Sequence, residues 1–141
     1  MEKMLRLRAL DILKFMGEHG IRYARWRVNQ AQDYMEQMIN EKRVITIEDE
    51  EGLHTVILFS VCHDYTPFYK KKTYEYLPHD PSGTILYIEK AVSRGWTKEL
   101  RKPMKDLFLT EYPQLQVAKW HRWGKRGDRP VTVRRERYVE V

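Results

Sequence analysis

The chain has little of what secreted and membrane-spanning proteins depend on. Its 141 residues include one cysteine, Cys62, so an internal disulfide is excluded and a reducing compartment is expected. No apolar run reaches the roughly 18 residues of a membrane-spanning helix, and the charged N-terminal region does not fit a signal peptide. Internal repeats and low-complexity tracts are also absent from the sequence. We therefore expect a soluble, cytoplasmic protein with no membrane partner.

The composition favours a globular protein with an unevenly distributed charge. Hydrophobic residues make up 42% of the chain and charged residues 33%, which argues against global disorder. The net charge is +6, and residues 119–141 contribute most of it, with eight Lys/Arg against three Asp/Glu. Such a segment attracts phosphates or acidic protein surfaces. The same charges also suit a solvated edge hairpin, and both interpretations stay open.

Two amphipathic helices are predicted before residue 43. Apolar residues form one helical stripe within residues 5–16, and Gly20 suits the end of this helix. Asn29 is a suitable N-cap for the second helix, whose apolar stripe lies within residues 31–39.

Runs of β-branched and apolar residues predict five strands after these helices. A third helix ends near Tyr112, and Pro103 either lies in its first turn or kinks it. Residues 64–83 contain three prolines and form a long irregular connection. The strands are predicted at residues 43–47, 54–61, 84–92, 115–122 and 131–139.

The resulting order, ααβββαββ, indicates an α+β fold with a mixed sheet in a single domain over residues 1–141. This domain has a helical part (1–42), a core (43–122) and a basic C-terminal hairpin strand (123–141). An alternative division treats residues 1–61 as a winged helix followed by a small αβ domain. Its recognition helix, residues 30–40, carries a negative net charge, which disfavours contact with DNA.

The order of elements and several short motifs resemble the GNAT acyltransferase fold. Over about residues 19–118 the chain is similar to the toxin-activating lysine acyltransferases, in the passage Met38–Ile47, in Tyr87-Ile88-Glu89 and in Tyr112-Pro113. The resemblance implies a divergent acyltransferase that moves an acyl group from a thioester donor to an amine. The implied donor is an acyl-coenzyme A or an acyl-carrier protein. Small basic proteins of this pattern are common in bacteriophages, which implies a phage-encoded protein in the cytoplasm of a bacterial host.

The resemblance also assigns site residues. His19 corresponds to the catalytic histidine, and Glu89 takes the place of the catalytic aspartate. In ordinary GNAT proteins a turn with two glycines binds the cofactor pyrophosphate through backbone N–H groups. This chain offers one glycine there, and the expected cofactor-binding residues are Arg94, Gly95, Thr97 and Lys98.

Simpler roles are open for the two candidate catalytic residues. His19 lies at a predicted helix end, where a histidine interacts favourably with the helix dipole. Glu89 also suits the solvent face of a strand, paired with a neighbouring lysine. Cys62, His63 and His79 lack the spacing of a four-ligand site, so we expect no metal.

A non-catalytic function is the alternative to acyl transfer. Residues 120–126 interleave aromatic and basic side chains, a combination in which cations neutralise phosphates while rings stack on bases. The alternative is therefore a binding module for nucleic acid or for an acidic host protein. The sequence indicates neither sequence-specific DNA recognition nor an oligomeric state. The residues expected to bind a polyanion are Lys119, Arg122, Lys125, Arg126, Arg129 and Arg134.

Overall fold

The computed structural model describes residues 2–19, 28–63, 79–95, 98–124 and 127–139. This part of the chain has an α+β fold, with four helices and five strands, which confirms the predicted class. The helices are α1 (Glu2–Glu18), α2 (Val28–Asn40), α3 (Arg101–Asp106) and α4 (Glu136–Val139). The strands are β1 (Val44–Asp49), β2 (Gly52–Cys62), β3 (Ile85–Ser93), β4 (Val117–Gly124) and β5 (Gly127–Arg134).

The five strands form one mixed sheet whose spatial order follows the order of the chain. β1 and β2 form an antiparallel hairpin, and so do β4 and β5. β3 and β4 are parallel, and the chain between them crosses over through α3. Because the 43–61 hairpin belongs to this larger sheet, it is not the separate wing of the winged-helix alternative.

The chain divides into two compact units. The first comprises Met1–Leu58 and Lys90–Trp96, and the second comprises Phe59–Glu89 and Thr97–Val141. The assignment of residues 1–141 to a single domain therefore stays a prediction.

The core of the first unit confirms the two helical stripes. Ala9, Ile12 and Met16 of α1 are buried with Tyr34, Met35 and Met38 of α2, as the i, i+3, i+4 spacing predicts. Val56 and Leu58 of β2 and Val92 of β3 complete this cluster. Each large side chain buried there contributes about 1.5–3 kcal/mol.

The end of α2 has an unusual backbone conformation. Lys42 has a positive φ of 56°, and the N–H groups of Lys42 and Arg43 donate to the carbonyls of Ile39 and Met38. These two bonds close the helix with a Schellman motif. The beginning of α2 differs from the prediction, because the helix starts at Val28 and Asn29 lies inside its first turn. The Asn29 Oδ1 atom accepts a bond from the adjacent Gln30 N–H.

The second unit is organised around α3 and the two helical turns that flank it, a 3₁₀ turn (Lys98–Leu100) and a π-helical turn (Leu107–Glu111). Pro103 lies in the first turn of α3, so the first of the two predicted alternatives is correct. Met104, Leu107 and Phe108 point into the core with Leu115 and Ala118.

The predicted fifth strand was placed too late in the chain. β5 covers Gly127–Arg134, and residues 136–139, which were predicted as strand, form α4. Tertiary contacts explain the change. The Arg135 Nη1 atom donates to the carbonyls of Phe108, Pro113 and Leu115, and the Tyr138 ring stacks on Phe108 at 4.9 Å. These contacts override the alternating pattern that favoured a strand.

The predicted connection at residues 64–83 falls largely outside the described residues, which resume at His79. From there the chain turns through Asp80, whose Oδ1 atom accepts bonds from the N–H and the hydroxyl of Ser82. Gly83 follows against the backbone of Cys62, where a Cβ would lie 2.4 Å from the Cys62 carbonyl oxygen. This close approach requires glycine. No helix among the described residues is long and apolar enough to span a bilayer.

Candidate functional site

The strands β3 and β4 are parallel and adjacent in the sheet. Their ladder runs from Ile85 opposite Val117 to Tyr87 opposite Lys119. Both strands continue past these pairs, to Ser93 and Gly124. Ligand sites in sheets with parallel strands lie at the carboxyl ends of those strands. Beyond their ladder, β3 and β4 continue toward these carboxyl ends.

The two predicted catalytic residues lie on different compact units. Glu89 is on β3 in the second unit, half-buried and two positions beyond the last pair of the parallel ladder. His19 follows α1 in the first unit, exposed, with its N–H donating to the carbonyls of Phe15 and Met16. The His19 ring lies 4.5 Å from the Phe15 ring. Their assignment as a catalytic pair stays a prediction.

Arg94, the first residue of the predicted phosphate-binding turn, is fully engaged within the first unit. Its Nε atom donates to the Leu53 carbonyl at 3.0 Å. Its Nη1 and Nη2 atoms form ion pairs with Glu51 at 2.7 Å and Asp49 at 2.6 Å. All three guanidinium nitrogens therefore hold the β1–β2 turn. A phosphate at Arg94 must compete with two carboxylates.

Asp49, one of the two acids that contact Arg94, has a lowered pKa. The backbone N–H of Glu51 donates to Asp49 Oδ1, and this bond, together with the Arg94 guanidinium, holds the pKa of the Asp49 carboxyl below its ordinary value. The cause is stabilisation of the charged form by a donor and by an opposite charge.

The rest of the predicted turn is more open. The Gly95 N–H donates to the Ser93 hydroxyl at 3.1 Å, and a Cβ at Gly95 would meet no atom within 4 Å. Packing within the described residues therefore does not require glycine there, in contrast to Gly83. Lys98 is exposed in the 3₁₀ turn before α3, and Thr97 lies outside the described residues.

A surface cavity in the first unit brings His19 and Arg94 together. Its volume is about 470 Å³, and it lies between α1 and the β1–β2 turn. Both basic and acidic side chains line it, and Arg8 and Glu48 form an ion pair of 2.6 Å. Because charges of both signs line it, the cavity is not a selective anion site. Its charged lining includes Arg8, Lys14, Arg94, Glu18, Glu48 and Glu51.

A chain of polar side chains next to Arg94 was missed by the sequence analysis. Thr55 is 2% exposed, and its hydroxyl lies 2.8 Å from both His54 Nδ1 and the Ser93 hydroxyl. Such a chain can pass a proton between Ser93 and His54 when both hydroxyls rotate. The only signal in the sequence was a polar pair, His54-Thr55, at the start of a strand that is otherwise apolar except for Ser60. Its partner Ser93 is far away in the sequence.

The residues weighed as metal ligands have other partners. His79 Nδ1 accepts the Val61 N–H at 3.0 Å, so that its lone pair is used. The His63 Nε2 atom lies 3.1 Å from Asp80 Oδ2 and 3.2 Å from the Ser82 hydroxyl. Within the described ranges, no three His, Cys, Asp or Glu side chains converge as a metal site.

The predicted polyanion-binding residues lie on the β4–β5 hairpin. The register places Lys119 opposite Thr132, Arg122 opposite Arg129, and Arg134 opposite Val117. Arg134 is exposed and Lys119 is half-buried. For Arg122 and Arg129 the structure describes the backbone alone, and Lys125 and Arg126, which connect the strands, lie outside the described residues.

Comparisons with family models, with curated proteins and with solved structures find no match to this chain.

Proposed function

We propose that this protein is a divergent GNAT-like acyltransferase that transfers an acyl group from a thioester donor to an amine. One observation carries the proposal: β3 and β4 are parallel, are joined through α3, and extend beyond a ladder that ends at Tyr87 and Lys119. In sheets with parallel strands, ligands bind at the carboxyl ends of those strands. Glu89 lies at the start of this region.

The reaction has a simple balance. The amine nitrogen attacks the thioester carbonyl, a C–N bond forms, the C–S bond breaks, and the donor leaves as a thiol. One amine proton must pass to a base, and the thiolate must receive a proton. Glu89 is the proposed acid–base group on β3, and His19 is the base that the family resemblance implies.

The donor site must be tested without disturbing Arg94. Because Arg94 holds the β1–β2 turn through three bonds, an Arg94→Ala variant loses fold stability whatever it does to binding. Gly95→Ala and Lys98→Ala are cleaner variants, since Gly95 has open space and Lys98 is exposed. Lys102→Ala, an exposed lysine of α3 in the same unit as Lys98, is the matched charge control.

The experiment measures binding and turnover separately. We expect calorimetry to detect coenzyme A binding that weakens at least about fivefold in Lys98→Ala and Gly95→Ala, a loss of about 1 kcal/mol, while Lys102→Ala binds normally. Release of free thiol from acetyl-coenzyme A, with a lysine-rich peptide as acceptor, should fall at least about 100-fold in Glu89→Gln. Absence of both coenzyme A binding and thiol release, with folding intact by circular dichroism, would exclude a coenzyme A-dependent enzyme. An acyl-carrier-protein donor is tested in parallel by the same thiol release.

A further inference from the structure

Helix α1 carries an apolar stripe on the side that faces away from the core of the first unit. Met4, Leu7 and Leu10 form this α1 stripe, with 75%, 54% and 40% of their surface exposed. They are three of the four large apolar residues that are exposed in the described part of the chain. Single apolar residues on a surface are ordinary, whereas a group of them on one helix face indicates a place where a partner binds.

Two charges of opposite sign flank the α1 stripe. Lys3 lies four residues before Leu7 and Asp11 four residues after it, so both lie on the same helix face as Leu7. Both side chains are exposed, and neither forms an ion pair with another of the residues that the structure describes. The pattern is therefore symmetric in position and opposite in charge about Leu7.

This symmetry makes the α1 stripe complementary to itself. When two α1 helices pack antiparallel about a two-fold axis at Leu7, a residue before Leu7 in one copy lies level with the residue equally far after Leu7 in the other. Leu7 then meets Leu7, and Met4 meets Leu10 of the second copy. Lys3 meets Asp11 at each end of the contact. Apolar side chains are thus matched at the centre and opposite charges at both ends.

Other arrangements of two α1 helices match these residues less well. A parallel pair puts Lys3 against Lys3 and Asp11 against Asp11, and like charges at such a contact repel each other. An antiparallel pair centred between Leu10 and Asp11 puts Leu7 against Lys14. Of the three arrangements, the antiparallel pair centred on Leu7 is the one that joins apolar to apolar residues and cation to anion.

From these observations we infer that the protein self-associates through α1 as an antiparallel dimer with two-fold symmetry. The partner is a second copy of this chain, and the surface is independent of the proposed acyl transfer. A standard interface uses about 20–30 residues of each partner, and the α1 stripe with its two flanking charges offers five. The dimer is therefore weak and reversible, with an expected dissociation constant between about 10 µM and 1 mM.

Sedimentation equilibrium of the full chain at concentrations between about 10 µM and 1 mM measures this association. Leu7→Gln puts an amide at the symmetry axis and should weaken the dimer at least about tenfold. Leu109→Gln is the matched control, because Leu109 is an exposed leucine of the second unit, and it should associate like the wild type. A chain that stays monomeric up to about 1 mM, or an equal loss in both variants, would overturn the inference.

Charge reversal tests the pairing of Lys3 with Asp11. Lys3→Glu and Asp11→Lys each turn two attractive pairs into repulsive ones and should weaken the dimer at least about threefold. The combined variant Lys3→Glu/Asp11→Lys reverses both partners of each pair and should associate within about twofold of the wild type. If the two losses instead add up in the combined variant, the two residues do not face each other.

Disulfide formation tests the position of the symmetry axis. Leu7→Cys brings two thiols together at the axis, so oxidation with diamide should yield a covalent dimer. In the control Leu10→Cys the two thiols lie six residues, about 9 Å, apart along the helices, beyond the Cα separation of about 4.4–6.8 Å that a disulfide allows. The native Cys62 is buried and does not compete. Equal cross-linking of the two variants would rule out an axis at Leu7.

Discussion

At the scale of single residues, Arg94 shows how one side chain connects distant parts of the sequence. It follows β3, and its guanidinium contacts two acids and a carbonyl of the β1–β2 hairpin. Only 24% of the Arg94 side chain is exposed, so its bonds are better shielded than those of an ordinary surface pair. The three bonds that make Arg94 unsuited to hold a phosphate also make it important for the stability of the first unit.

The titration of Asp49 gives a pH-dependent test of this contact. Its pKa is lowered in the folded chain, so its carboxylate stabilises the fold above the unfolded pKa of about 3.9 and loses this effect as the pH falls through the folded value. We expect Asp49→Asn to be less stable than the wild type at pH 7. The difference in melting temperature should shrink below about pH 4 and vanish once Asp49 is protonated.

The control for this prediction is Glu50→Gln, which removes the same charge from the exposed turn position next to Asp49. Thermal melts at low salt between pH 2 and pH 7 measure both variants. If the two variants show the same pH profile, the effect is one of general charge, and the role given to the Arg94 contact is wrong.

At the scale of secondary-structure elements, periodicity predicted most of the fold. The helical stripes and the strand patterns are local properties, so residues 5–16, 31–39 and 54–61 were assigned correctly without tertiary information. The segment 136–139 was assigned wrongly because its conformation depends on Phe108, almost 30 residues earlier.

The candidate site was less predictable than the fold, for a physical reason. The parallel pairing of β3 and β4 is the usual result of a strand–helix–strand order, which is a local feature of the sequence. The partners of Arg94 and the contact of Thr55 with Ser93 join residues about 40 positions apart. Periodicity cannot select these partners, because any exposed acid of the sequence is an equally good candidate for an ion pair.

Arg135 offers a direct test of how α4 is held. Its Nη1 atom serves three carbonyls, at Phe108, Pro113 and Leu115, and these acceptors belong to the end of the helical segment and the approach to β4. Removing a charged donor from such acceptors costs about 1.5–3 kcal/mol. We expect Arg135→Gln to lower the free energy of unfolding in urea by this amount.

The neighbouring Arg134 supplies the matched control, because Arg134→Gln changes the net charge equally at an exposed position. It should change stability by less than about 0.5 kcal/mol. If both variants lost the same stability, the role given to the three bonds from Arg135 would be refuted.

At the scale of the whole molecule, two strands connect the two compact units. β2 and β3 each begin in one unit and end in the other, so neither strand can form completely unless both units are folded. This continuity makes separate unfolding of the units costly. We therefore expect a single cooperative transition, although each unit has its own buried cluster.

Core variants in each unit test this cooperativity. Met35→Ala in the first unit and Phe108→Ala in the second remove side chains that are fully buried, at a cost of about 2–5 kcal/mol each. Far-ultraviolet circular dichroism and tryptophan fluorescence should report the same midpoint in urea for each variant, with m-values like that of the wild type. If the two probes report different midpoints for a variant, one unit unfolds before the other. The shared strands would then contribute too little stability to make the two units unfold together. The chain would then behave as two domains that share a sheet.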